Sequence, residues 1–194
     1  DANISIKPTA FGLLLNREKG LENITEICSI AAENDIFVRL DMEDHRVTQE
    51  TIDVVLEMHS RGKTNVGCVL QSRLFRTKDD IEYLCKNLIG NTDFRLCKGI
   101  YLEPSEIAHV EYQSIVDAFC LDINSALDLD AYVGIASHDL QVINHAKYAL
   151  ELRNLGPDKE DERKNSPKKK KRLIAIGKNR FVRKFMTLVV VKNR

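Results

Sequence analysis

The sequence predicts an α/β chain of the (βα)8 TIM-barrel type, apparently incomplete, with five to six βα units legible. Three observations carry that expectation. Short apolar runs alternate with amphipathic helical stretches as far as about residue 153, at intervals of about 30 residues. The runs are almost continuously apolar, as strands are when a parallel sheet is covered on its faces. Finally, Lys7, Asp41, Gln71, Lys98 and His138 each stand at the carboxyl end of a different run. In an α/β barrel that end is where sites are built, because the strand ends converge there and the following loops open to solvent.

The strand candidates are ISIK at 4–7, IFVRLD at 36–41, VGCVLQ at 66–71, FRLCK at 94–98 and YVGIAS at 132–137. Helices are predicted at 18–34, 48–61, 77–89, 104–128 and 140–154. Leu21, Ile24, Ile27, Cys28 and Ala31 recur at helical spacing, as do Ile52, Val55, Leu56 and His59. Thr48 and Thr77 are the expected N-caps, and Gly62, Gly90 and Gly156 the expected helix stops.

Composition bounds the function class. Apolar residues make up 43% and charged residues 30% of the chain, which is the profile of a globular domain. No apolar run reaches the roughly 20 residues needed to span a bilayer, and no secretory signal is expected at the start. The five cysteines (Cys28, Cys68, Cys85, Cys97, Cys120) form no C-x-x-C pair. Reduced thiols serving as small core residues are expected, in an intracellular setting, with no metal site. His45, His59, His109 and His145 lack metal-ligand spacing and read as surface or capping residues. No G-x-G-x-x-G or Walker loop is present.

The net charge of zero conceals a split: residues 163–194 carry +13 and residues 1–162 carry −13. The expected organisation is therefore a partial barrel over 1–155 and a basic tail over 156–194, diverged or disordered. LIAIG at 173–177 and TLVVV at 187–191 have strand character without a joining helix. The run KKKKR at 168–172 reads as solvated tail, and no nucleic-acid partner is expected, since no aromatic interleaving accompanies it.

One stretch poses a physical question. DFRLC at 93–97 has strand length and apolar weight, yet it carries Arg95 and is followed by Lys98 and Gly99. A cation in a covered strand needs an anionic partner. The residues alone predict an anion at that strand end, and by themselves they read as a phosphate site.

SIKPTAFG, VRLDMED, VLQSRLFRT, RLCKGIYLEP and ASHD, in this order and spacing over roughly residues 3–153, resemble the proline dehydrogenase family. The resemblance implies a flavin-dependent (βα)8 barrel, standing alone or as a domain of the bifunctional proline-utilisation proteins. It also implies oxidation of L-proline to 1-pyrroline-5-carboxylate with FAD, and a quinone-type electron acceptor at a membrane surface. The setting it implies is cytoplasmic or peripheral to an inner membrane, mitochondrial in a eukaryote. On this resemblance Asp41 and Arg95 are the catalytic-site residues, while Lys7 and Tyr101 face the substrate. Met42, Gln71, Lys98, Gly99, Ile100, Ser137 and His138 would bind the cofactor, with Ser137 and His138 at its adenosine-diphosphate part.

The chain departs from the family pattern in places. Arg73 stands where the pattern has tyrosine, Ser137 replaces threonine, and Ile100 replaces alanine and is expected to crowd the pocket floor. The family's later strands and the arginine pair that clamps the proline carboxylate cannot be read in 155–194, and neither can a strand before residue 3. A catalytically inactive barrel remnant acting as a scaffold is the alternative this suggests.

Overall fold

The computed structural model describes residues 2–155. Five strands, β1 (Ala2–Ile6), β2 (Ile36–Leu40), β3 (Val66–Gln71), β4 (Asp93–Cys97) and β5 (Tyr132–Ala136), alternate with five helices. These are α1 (Arg17–Glu33), α2 (His45–Ser60), α3 (Thr77–Asn87), α4 (Tyr112–Asp128) and α5 (Leu140–Leu152), and a short 3-10 helix (Pro8–Phe11) follows β1. The strands pair in parallel in the order β1-β2-β3-β4-β5. A doubly wound sheet reverses its order midway, whereas a barrel winds on in one direction. The expected fold class is therefore the observed one, with five consecutive βα units among the described residues. Gly156, the two tail strand candidates and the whole 156–194 segment lie outside the described residues.

A parallel sheet that winds on in one direction carries its helices on one face. The core forms there: Val38, Leu40, Cys68, Leu70, Phe94, Leu96, Val133 and Ile135 of the strands meet Ile24, Ile52, Ile81, Phe119 and Ile123 of the helices. Phe94 and Phe119 are wholly buried, and truncating either to alanine would cost about 3–5 kcal/mol. The other face carries the alternate residues, and there the chain becomes polar. Ser5, Arg39 and Gly67 align in one row. One step further along the strands Val69, Arg95 and Gly134 align in the next. All five cysteines are free thiols. Burial pushes Cys28 and Cys97 up to about 11 and Cys68 up to about 12, the signature of inert core residues.

Several boundaries differ from expectation for local reasons. α2 starts three residues earlier than predicted, because Asp44 caps it by accepting from the Arg46 N–H. Thr48 thus lies inside the helix. Thr77 opens α3 without capping it and turns its hydroxyl to the Gln71 carbonyl at 2.5 Å. The helix expected from residue 104 begins only at Tyr112. Residues 104–111 are engaged elsewhere: Phe75 N–H donates to Ile107, His109 N–H donates to Arg73, and Leu74 bridges Ala108 in antiparallel fashion. Gly62 and Gly90 do sit just past their helices in left-handed conformation, φ 79° and 77°. Among the described residues no helix is long and apolar enough to cross a membrane.

Candidate functional site

Because the strands are parallel and in register, their carboxyl ends form one edge of the sheet. Lys7, Asp41, Gln71, Lys98 and Ser137–His138 follow β1 to β5 along that edge. Lys7 and His138 are exposed, Asp41, Lys98 and Ser137 half-buried, and Gln71 buried. Arg95 lies one row below, on the inner face.

Arg95 spans the inner face from β4 towards β1 and β2. Its guanidinium donates to Asp41 Oδ1 at 3.5 Å and to Ser5 Oγ at 3.4 Å, with 14% of the side chain exposed. These are long contacts for a buried cation, so Arg95 is only partly satisfied. Burial lowers its pKa, the neighbouring Arg39 lowers it further, and Asp41 acts in the opposite sense. The anion predicted for this strand is thus Asp41 in part, with donor capacity left over.

Gln71 donates its side-chain amide to the Glu43 carbonyl at 2.7 Å. Gly99 has φ 95°, a left-handed conformation suited to glycine, and a Cβ there would stand 2.9 Å from Gln71 Oε1. Gly99 is therefore what lets the glutamine lie flat against the turn after β4. Met42 is buried within the hydrophobic core. Ile100, in the turn after β4, is 86% exposed. Tyr101 is half-buried, and its carbonyl accepts from Arg73 Nη1 at 2.5 Å, which is what the departure at Arg73 achieves.

The charged rim holds partners that strand-end reasoning missed. Lys98 Nζ donates to Asp139 Oδ2 at 2.6 Å and to the Tyr112 hydroxyl at 2.9 Å, and it lies 4.1 Å from the Tyr112 ring centroid. Tyr112 also donates to Asp139. Burial would lower the Lys98 pKa, but these two bonds prevail and raise it. Lys98 and then Tyr112 hold Asp139 down to about 2. Glu43 accepts from the Thr9 hydroxyl at 2.8 Å, tying the loop after β1 to the loop after β2. Glu103, whose side chain is 2% exposed, accepts from the His45 N–H at 3.0 Å and from its ring Nδ1. A carboxylate from the loop after β4 therefore sits at the amino end of α2, where the helix dipole favours it.

The largest omission is Arg39. It is 4% exposed on the inner face and reaches Asp93 Oδ1 at 2.8 Å. Its signal in the sequence is an arginine in the middle of an apolar strand, two residues before the strand end at Asp41.

The chain matches the proline dehydrogenase family model over residues 1–161. It is 31% identical over 159 residues to proline dehydrogenase 2 of Bacillus subtilis (strain 168), covering 82% of this chain and 51% of that protein. It is 33% identical over 144 residues to the proline dehydrogenase of Deinococcus radiodurans, covering 72% and 44%. Its fold is similar to that of proline utilization A from Bdellovibrio bacteriovorus inactivated by N-propargylglycine. The TM-score is 0.69 at 20% identity, over 77% of this chain and 18% of that one. The chain spans about half the length of the curated relatives it matches. With the motifs in register on one sheet edge and the family model matched over most of the sequence, the chain belongs to the proline dehydrogenase family.

Proposed function

We propose that this chain supplies the flavin-facing part of a proline dehydrogenase, which oxidises L-proline to 1-pyrroline-5-carboxylate. The observation that carries the reading is Arg95, a desolvated guanidinium on the inner face whose contacts to Asp41 and Ser5 are no shorter than 3.4 Å. A fully paired arginine would have little left for a ligand; this one has donors to spare.

The residues fit FAD. Arg95 and Gln71 offer donors and an acceptor to a planar ring, and Gly99 keeps the turn after β4 free of side chain. Lys98 spends two of its three protons on Asp139 and Tyr112 and keeps one for a phosphate or ribityl oxygen. Ser137 and the exposed His138 extend the donor set past β5. When bound, FAD supplies a hydride acceptor for the carbon next to the proline nitrogen. Arg95 then provides positive charge where negative charge develops, and Asp41 keeps that guanidinium oriented. Lys7 offers an ammonium to the substrate carboxylate, and Tyr101 a wall. A quinone-type acceptor, met at a membrane surface, would take the electrons onward.

The test is an absorbance spectrum of the purified chain, with and without L-proline under anaerobic conditions. A flavin band that bleaches on adding proline supports the reading. A colourless protein that takes up no added FAD would end it. Arg95→Ala is expected to weaken flavin retention or slow bleaching about tenfold to a hundredfold, as loss of a charge-assisted hydrogen bond does.

A further inference from the structure

Arg39 and Arg95 cross the inner face in opposite directions. Arg39 leaves β2, passes over β3 and reaches Asp93 on β4; Arg95 leaves β4 and reaches back to Asp41 and Ser5. The crossing is made possible by Gly67, which aligns with Arg39 on β3. A Cβ at Gly67 would stand 3.2 Å from Arg39 Nη1 and only 2.0 Å from the Asp93 carbonyl oxygen. Arg39 also rests 4.8 Å from the Phe37 ring centroid.

Asp93 is two residues before Arg95 in the same strand, so both side chains rise from the same face roughly 7 Å apart along it. An arginine side chain easily spans that interval. Asp93 would therefore be the natural carboxylate for Arg95 to fold down upon, and a bidentate pair there would draw the guanidinium away from the rim. Instead Asp93 lies 2.8 Å from Arg39 Nη1, and Arg95 turns to Asp41 and Ser5. Stability alone is a weak account of an ion pair whose arginine is buried, since apolar residues of similar volume generally serve a core as well.

We propose that Arg39 is a positioning residue for Arg95: by occupying Asp93 across the Gly67 gap, it keeps the Arg95 guanidinium turned to Asp41 and the rim. The inference rests on the reading of Arg95 as the flavin-facing cation for its consequence, but not for its geometry. The charge of Arg39 acts in the same direction, since it repels a guanidinium that moves down towards it.

The test uses the full chain as Arg39→Met, Asp93→Asn and the double variant. The first readout needs no cofactor: a crystal structure, or NMR of the arginine side-chain Nε–H groups, reports where Arg95 points. In Arg39→Met, Arg95 is expected to turn to Asp93; in the double variant it is expected to return to Asp41. The second readout is FAD affinity, expected to be about tenfold weaker in Arg39→Met and restored in the double variant. A merely structural role for Arg39 would give no such rescue. Arg39→Gln carries the same expectation if Arg39→Met does not fold. Arg95 unmoved in a folded Arg39 variant, or a folded double variant that restores neither readout, overturns the proposal. If the unaltered chain binds no FAD, the proposed function fails, while the orientation of Arg95 still decides this inference.

Discussion

Lys98 and Asp139 meet at 2.6 Å, joining the first residue beyond β4 to the N-cap of α5. One carboxylate thus does two tasks. Its Oδ1 accepts from the Gln141 N–H at 2.8 Å and starts the helix, while its Oδ2 holds the lysine. The loops after β4 and β5 are fastened to each other at the edge where the candidate site lies.

Asp139→Ala should therefore remove a cap and an ion pair together, at about 2 kcal/mol by chemical denaturation. Tyr112→Phe, which keeps the ring over Lys98, should cost about 1 kcal/mol or less. The Asp139 contribution has a pH signature. Its pKa is lowered from 3.8 to about 2, so the stabilisation is complete above the unfolded value and disappears as pH falls through about 2. The gap between wild type and Asp139→Ala should be constant near neutrality and narrow below about pH 4. A gap that stayed constant into acid would contradict the ion-pair account.

Gly67→Ala is expected to damage the protein out of proportion to one methyl group. The added carbon would meet the Asp93 carbonyl oxygen at 2.0 Å, which is backbone and cannot step aside. Overpacking of this kind costs about 1–3 kcal/mol, and the β3–β4 register would absorb the displacement. Urea midpoints compared with those of Gly62→Ala, where the only obstacle is the positive φ, separate crowding from backbone strain.

Asp122 on α4 is 5% exposed, and its Oδ2 has no hydrogen-bond partner. Burial raises its pKa from 3.8 to about 7, with the Ser72 hydroxyl opposing. The folded state then binds a proton that the unfolded chain has already released, so stability falls as pH rises from about 4 and levels off above about 7, where the group is ionised in both states. Asp122→Asn should flatten that slope and make the protein more stable than wild type at pH 8, by up to about 4 kcal/mol. Denaturation midpoints of the two proteins at pH 5.5 and 8 provide the measurement. Equal pH slopes would show that Asp122 is not the responsible group.

Glu103→Ala leaves the first N–H of α2 and the His45 ring without their carboxylate. The cost should be about 1–3 kcal/mol, since the site is buried. The loop from Gly99 to Glu111 should also be cut faster by a protease under native conditions. Glu103→Gln, which still accepts from the backbone N–H, should recover most of the loss. If both variants behave alike, the charge and not the hydrogen bond is what matters.

The alternation of elements was legible because it is local. A strand buried on its faces must be apolar, and a helix lying on it must repeat its apolar residues at a period near 3.6. Boundaries slipped where tertiary bonds replaced local ones. Residues 104–111 would satisfy their backbone as helix in isolation, but Arg73 and Phe75 engage them first. Tyr112 and Asp139 were invisible as partners of Lys98 because neither stands at its level in the chain.

The sequence by itself determined the βα order, the parallel sheet and the edge on which polar strand ends gather, since each follows from periodicity and handedness. It also determined that Arg95 required an anion. Which carboxylate answers which cation was decided only in three dimensions. Asp93 is close to Arg95 in sequence and pairs with Arg39, while Asp41, remote in sequence, faces Arg95. Charge pairing depends on distances across strands, and those were set by a missing side chain at Gly67 that no local rule reads as part of a site.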